Sequence, residues 1–151
     1  MSLLSAFNNL LEQFIQDMIL SFPDLKELKT INTLVTSLRR INPRMVLFKF
    51  LRVAGKHHEK IFDEKASFFE DLDNWKKDPD FKEEASGNED DLFQKLVVFK
   101  SIWGDLSQTN KNSIWIYFKQ LLIIGAKANN NPMLQQMCDA IIIRAGKLMK
   151  K

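Results

Sequence analysis

Residues 113–128, SIWIYFKQLLIIGAKA, contain a long apolar stretch interrupted in its middle by Lys119 and Gln120, and no other feature limits the possible folds so much. A membrane-spanning helix needs about 20 mostly apolar residues, because the hydrocarbon layer is roughly 30 Å thick and a helix rises about 1.5 Å per residue. Ile114 to Ala128 is too short for that. Lys119 and Gln120 also fall in its middle, where a charge costs roughly 3 kcal/mol. As a helix the stretch places Ile114, Trp115, Tyr117, Phe118, Leu121, Leu122, Ile123 and Ile124 nearly all round, so neighbours must cover several sides. It is expected as the central helix of an all-α bundle, near 112–128. Trp115 and Tyr117 should lie toward its edge, where N–H and O–H find polar partners, and Lys119 should mark its wet side.

Other segments carry the stripes that would cover it. Leu4, Phe7, Leu11, Phe14 and Met18 recur at spacings of three and four, widened by Leu3, Leu10, Ile15 and Ile19, and Pro23 ends that helix. A second helix, opened by Asp24, turns Leu25, Leu28, Ile31, Val35 and Leu38 inward. A third is expected from Pro43 to Ala54, with Asn42 as its cap, Pro43 in its first turn and Gly55 at its end. A fourth region follows Gly55, with Ile61, Phe62, Phe68, Phe69, Leu72 and Trp75 inward. Residues 76–91, KKDPDFKEEASGNEDD, are expected as an exposed acidic loop. Leu92, Leu96, Phe99, Trp103 and Leu106 mark a fifth helix that Gly104 can shorten. The polar turn at 107–112 leads into the central helix, and after Asn129–Pro132 a last helix runs from Met133 to Met149. The expectation is therefore a single domain over 1–151, a bundle of six to seven helices. No internal period recurs that would favour a solenoid.

At 151 residues a chain buries about two thirds of its unfolded surface, enough for a core without metals or disulfides. Cys138 is the only cysteine, which excludes an intramolecular disulfide and fits a reducing, cytoplasmic setting. The first residues, MSLLSAFNNLLEQF, lack the basic start and cleavage site of a secretory signal, so Met1 is read as the mature start.

Charge is segregated along the chain. Lys29 to Lys56 contains Lys29, Arg39, Arg40, Arg44, Lys49, Arg52 and Lys56 and no acid, whereas Glu59 to Asp91 holds thirteen acids against five lysines. Beyond Lys111 the chain is basic again, with Asp139 its lone acid. Solvation, or the acidic middle folding back on its basic flanks, is the first expectation. The sharper one is a face for an anionic partner built from Arg39, Arg40, Arg44, Lys49, Arg52 and Lys56, able to meet phosphates of nucleic acid without reading sequence. An acidic protein or a membrane surface is the further alternative.

No pattern points to catalysis, a metal or a cofactor. His57 and His58 point about 100° apart on a helix, and Ile61 and Phe62 occupy the places four residues on where a second ligand would sit. Cys138, beside Met137 and Ile141 to Ile143, reads as a buried thiol rather than a nucleophile. A protein partner or self-association is expected instead, with Met and Phe side chains free to serve an adaptable docking surface.

Ile102 and Trp103, the polar turn with Lys111 and Asn112, and the run from Ile114 through Trp115, Tyr117, Phe118 and Lys119 to Leu122 resemble a segment of uncharacterised small helical proteins from large DNA viruses of algae and protists. About a fifth of the chain is covered. The resemblance implies a viral source, in the host cytoplasm or the virion, and no residue's role. Taken together, the chain is expected to be a non-catalytic interaction or virion-assembly protein, with nonspecific nucleic-acid binding by the basic block as the alternative.

Overall fold

Helices form where apolar residues recur at helical spacing and stop where prolines and polar turns interrupt them. The computed structural model describes residues 2–70 and 98–149, with helices, turns and short connections and no strand among them. Helix α1 (Leu3–Ser21) begins at Ser2, whose hydroxyl accepts from the Ser5 N–H at 3.1 Å, and buries Phe7, Phe14, Ile15 and Met18. Helix α2 (Lys26–Ile41) buries Leu28, Ile31, Val35 and Leu38 as their spacing predicts. Asp24 stays in the preceding turn, and Glu27 supplies the first-turn acid instead.

Helix α3 (Met45–Ala54) starts two residues later than expected, because Asn42 Oδ1 accepts from the Arg44 N–H at 2.9 Å and closes the Pro43–Arg44 turn rather than capping the helix. Gly55 does not end the chain's helical course. Its φ is −62°, and a 3-10 turn (Gly55–His57) carries on into α4 (His58–Phe62). The missing side chain serves close packing, since a Cβ there would lie 2.7 Å from Met137 Cε. The fourth region is then broken at Asp63–Ala66, where Glu64 takes a positive φ of 55°, before α5 (Ser67–Glu70). Leu72, Trp75, the acidic 76–91 stretch, Leu92 and Leu96 lie outside the described residues.

Helix α6 (Val98–Trp103) stops just before Gly104. Helix α7 (Gln108–Ala128) starts earlier than expected because Ser107, at the head of the polar turn, caps it, its hydroxyl accepting from the Asn110 N–H at 3.1 Å. After Asn129–Asn131 a 3-10 turn (Pro132–Leu134) precedes α8 (Gln135–Met149), which buries Cys138, Ile141 and Ala145.

The fold is an all-α bundle with α7 at its centre. Helix α7 packs against α1, α3, α4 and α8, and the buried side chains form one continuous core. Phe118 meets Phe14, Phe50, Phe68 and Phe69 at ring separations of 5.4 to 6.0 Å. Phe69 stacks on Trp103 at 4.4 Å and lies 5.2 Å from Trp115, so α5 and α6 are fastened beside the first half of α7. Trp115 is therefore interior, 3% exposed, and not at the edge where its polar indole suggested. Tyr117 does sit at the edge, and its hydroxyl donates to Asp17 on α1. No described helix is long and apolar enough to cross a membrane.

Candidate functional site

The six cations of the candidate face have separate roles in the fold. Arg39, in the last turn of α2, lies 3.6 Å from Glu12 on α1. Arg44 donates from Nη1 to the Ala128 carbonyl at 3.1 Å, at the C-terminus of α7, where carbonyls lack helical partners and the helix dipole is negative. Arg40 is exposed. Lys49 and Arg52 follow the side of α3 opposite Val46, Leu47, Leu51 and Ala54, at about 100° per residue, Lys56 follows in the 3-10 turn, and none of the three lacks an interaction partner. Two of the six, Arg39 and Arg44, thus have named partners within the bundle.

Two acids at the start of the acidic stretch pair with the C-terminal basic flank, one of the two flanks expected to receive them. Asp63 Oδ1 accepts from Arg144 Nη2 at 2.8 Å, and Glu64 Oε2 accepts from Lys119 Nζ at 2.6 Å. The start of the acidic stretch thus folds onto the C-terminal basic flank. These pairs are partly exposed, and each contributes about 1 kcal/mol or less.

Arg44 and Arg40 should therefore respond differently to truncation. Arg44→Ala removes a charge-assisted hydrogen bond and a favourable dipole contact, and should lower the unfolding free energy by about 1.5–2 kcal/mol. Arg40→Ala should change it by less than about 0.5 kcal/mol. Urea unfolding monitored by circular dichroism checks both values.

The groups suited to chemistry serve the interior. Burial, with Asp139 adding to it, pushes the Cys138 thiol up to about 11, so the side chain stays a neutral core filler. His58 Nδ1 is 2.8 Å from the Gly55 carbonyl, and His57 packs 6.2 Å from the Phe68 ring. Among the described residues no three His, Cys, Asp or Glu side chains converge as metal ligands would.

Tyr117 offers a clean titration because it is the chain's only tyrosine. Desolvation, reinforced by its hydrogen bond to Asp17, pushes its pKa up to about 12. The folded state holds this proton more tightly than the unfolded chain does. The associated stability is present below pH of about 10 and is lost as pH rises toward 12. Ultraviolet titration of the native protein should give a midpoint near 12, and Asp17→Asn should lower it.

The structure also gathers groups that sequence order keeps apart. Asn8 Nδ2 donates to the Pro43 carbonyl at 3.2 Å, and Arg44 reaches Ala128, so the start of α1, the α2–α3 turn and the end of α7 meet at one end of the bundle. The segments 2–11, 39–49 and 123–138 that build this end contain Arg39, Arg40, Arg44, Lys49 and Lys127 and no acid. Leu3, Ile41 and Met133 stand at the same end, 48, 69 and 88% exposed. Reading the basic block alone misses Lys127 and these three apolar residues. The only signal in the sequence is that all three segments lack acids. The chain matches no known protein family, no curated protein and no solved structure.

Proposed function

We propose that the chain is a non-catalytic protein-interaction or assembly protein that acts through its surface. The observation that carries this reading is the exposure of large apolar side chains on several helices: Leu20 at 79%, Ile116 at 54% and Ile143 at 59%, besides those at the basic end. Covering a fully exposed side chain of this size is favourable by about 1.5–3 kcal/mol, so a partner surface has something to gain at each. The neutral buried thiol of Cys138 supports the same reading, because it leaves no activated nucleophile there. The resemblance carried by Ile102 to Leu122 supports a viral source, and with it action in the host cytoplasm or the virion.

Nucleic-acid binding is the second reading, favoured by the cations on the outer side of α3. It carries less weight because Arg39 and Arg44 are bonded within the fold. Sequence-nonspecific binding would show as retention on duplex DNA at physiological salt, with affinity falling steeply as salt rises.

Affinity capture from the source cell, with sedimentation velocity of the purified chain, tests the main reading. It expects a stoichiometric partner, or a second copy, that Leu20→Ser/Ile116→Ser/Ile143→Ser weakens while the melting temperature holds. A wild-type chain that stays monomeric and retains nothing contradicts it.

A further inference from the structure

We propose that the basic end of the bundle docks onto an anionic membrane surface. In this docking Leu3, Ile41 and Met133 enter the headgroup layer, and Arg40 and Lys127 meet lipid phosphates. This goes beyond the interaction role, since the occupant is a bilayer and not a protein.

Three observations carry it. First, the three chain segments at this end hold five cations and no acid. Glu12 and Asp139 directly follow two of them and Glu12 pairs with Arg39, yet the net charge stays positive and complements anionic lipid. Second, three of the four acids of the first two helices and their turn, Asp17, Asp24 and Glu27, lie toward the other end, and the fourth, Glu12, is paired with Arg39. That asymmetry along the bundle axis orients the molecule, basic end first, toward a negative surface. Third, large aliphatic side chains are exposed at the same end, with Ile41 directly beside Arg40.

The combination favours lipid over the other anions. An end formed by helix termini and turns presents protruding side chains rather than a groove, whereas protein hot spots favour aromatic anchors seated in pockets. Nucleic-acid affinity comes mainly from phosphate neutralisation, which leaves exposed Leu, Ile and Met uncovered. A bilayer interface accepts both parts, apolar tips at the acyl boundary and cations at the phosphates. Docking of this kind is peripheral and needs no spanning helix.

Cosedimentation of the full chain with vesicles tests it, using an equal mixture of phosphatidylcholine and phosphatidylglycerol beside phosphatidylcholine alone. Binding is expected to the anionic vesicles, weakening as salt rises, and not to the neutral ones. Each interfacial cation removed should weaken partitioning about fivefold, so Arg40→Glu/Lys127→Glu should reduce it at least ~20-fold. Lys26→Glu/Lys29→Glu makes the same change in net charge at the far end of α2 and should have a much smaller effect. Leu3→Ser/Ile41→Ser/Met133→Ser should weaken binding at least ~10-fold at unchanged net charge.

Hydrogen exchange of the wild-type chain on the vesicles gives a readout independent of the variants, with new protection expected within 2–11, 39–49 and 123–138. Absence of anionic-vesicle binding at low salt overturns the proposal. So does equal loss in the Lys26→Glu/Lys29→Glu variant, protection confined to other helices, or retention on duplex DNA without retention on vesicles.

Discussion

Phe69→Ala is expected to lower the unfolding free energy by about 3–5 kcal/mol, the range found when a buried aromatic is truncated and its neighbours cannot collapse into the gap. Phe69 is 2% exposed and contacts the rings of Phe68, Trp103, Trp115 and Phe118. Those rings belong to α5, α6 and α7, so no single shift of one helix refills the space. With total stabilities of about 5–15 kcal/mol typical for a domain, the loss is a large share of what holds the fold. Near-ultraviolet circular dichroism should weaken as well, because Trp103 and Trp115 lose a fixed aromatic neighbour. Equilibrium urea unfolding gives the magnitude. A loss below about 1 kcal/mol would mean that the α5–α6 contact with α7 contributes little.

The second large effect concerns Gly125 on α7. A Cβ placed there would meet Leu47 Cδ1 at 3.2 Å, Leu51 Cδ2 at 3.4 Å and Phe7 Cδ2 at 3.4 Å, so α1 and α3 approach α7 closely at this point. Gly125→Ala should be nearly neutral, because about 1 kcal/mol of helix propensity offsets slight crowding. Gly125→Leu adds three further carbons among Phe7, Leu47 and Leu51, all fully buried, and should cost about 3 kcal/mol. The contrast between the two substitutions isolates packing from backbone effects. Similar stabilities for the alanine and leucine variants would show that α7 is looser against α1 and α3 than these distances indicate.

Particular elements show why some of this was legible in the sequence. The stripes of α1 and α2 could be read because Pro23 and Asn42–Pro43 punctuate them and each helix faces the core on one side. The centrality of α7 followed from an apolar surface too wide for a single neighbour. Its start did not, because Gln108, Thr109 and Asn112 face solvent and leave no apolar periodicity, while Ser107 does the capping. Gly55 resembled a helix stop, yet it answers to Met137 of α8, a neighbour 82 positions later. The candidate face was only partly legible for the same reason: Arg39 is tied to Glu12 and Arg44 to the Ala128 carbonyl, 84 residues on. Charge patterns reveal which residues could meet an anion. They do not reveal which of those residues the fold itself uses.

Throughout, the apolar run of α7 apart from the exposed Ile116 is consumed by the bundle, which leaves any function to side chains that point outward. Native-state hydrogen exchange tests that claim most directly. If α7 is the hub, amides from Ile114 to Ala126 should exchange only through global unfolding, with opening free energies equal to the stability measured by denaturant. If those amides instead open several kcal/mol below global unfolding, α7 is not the core of this fold, and its apolar side chains become available as a binding surface.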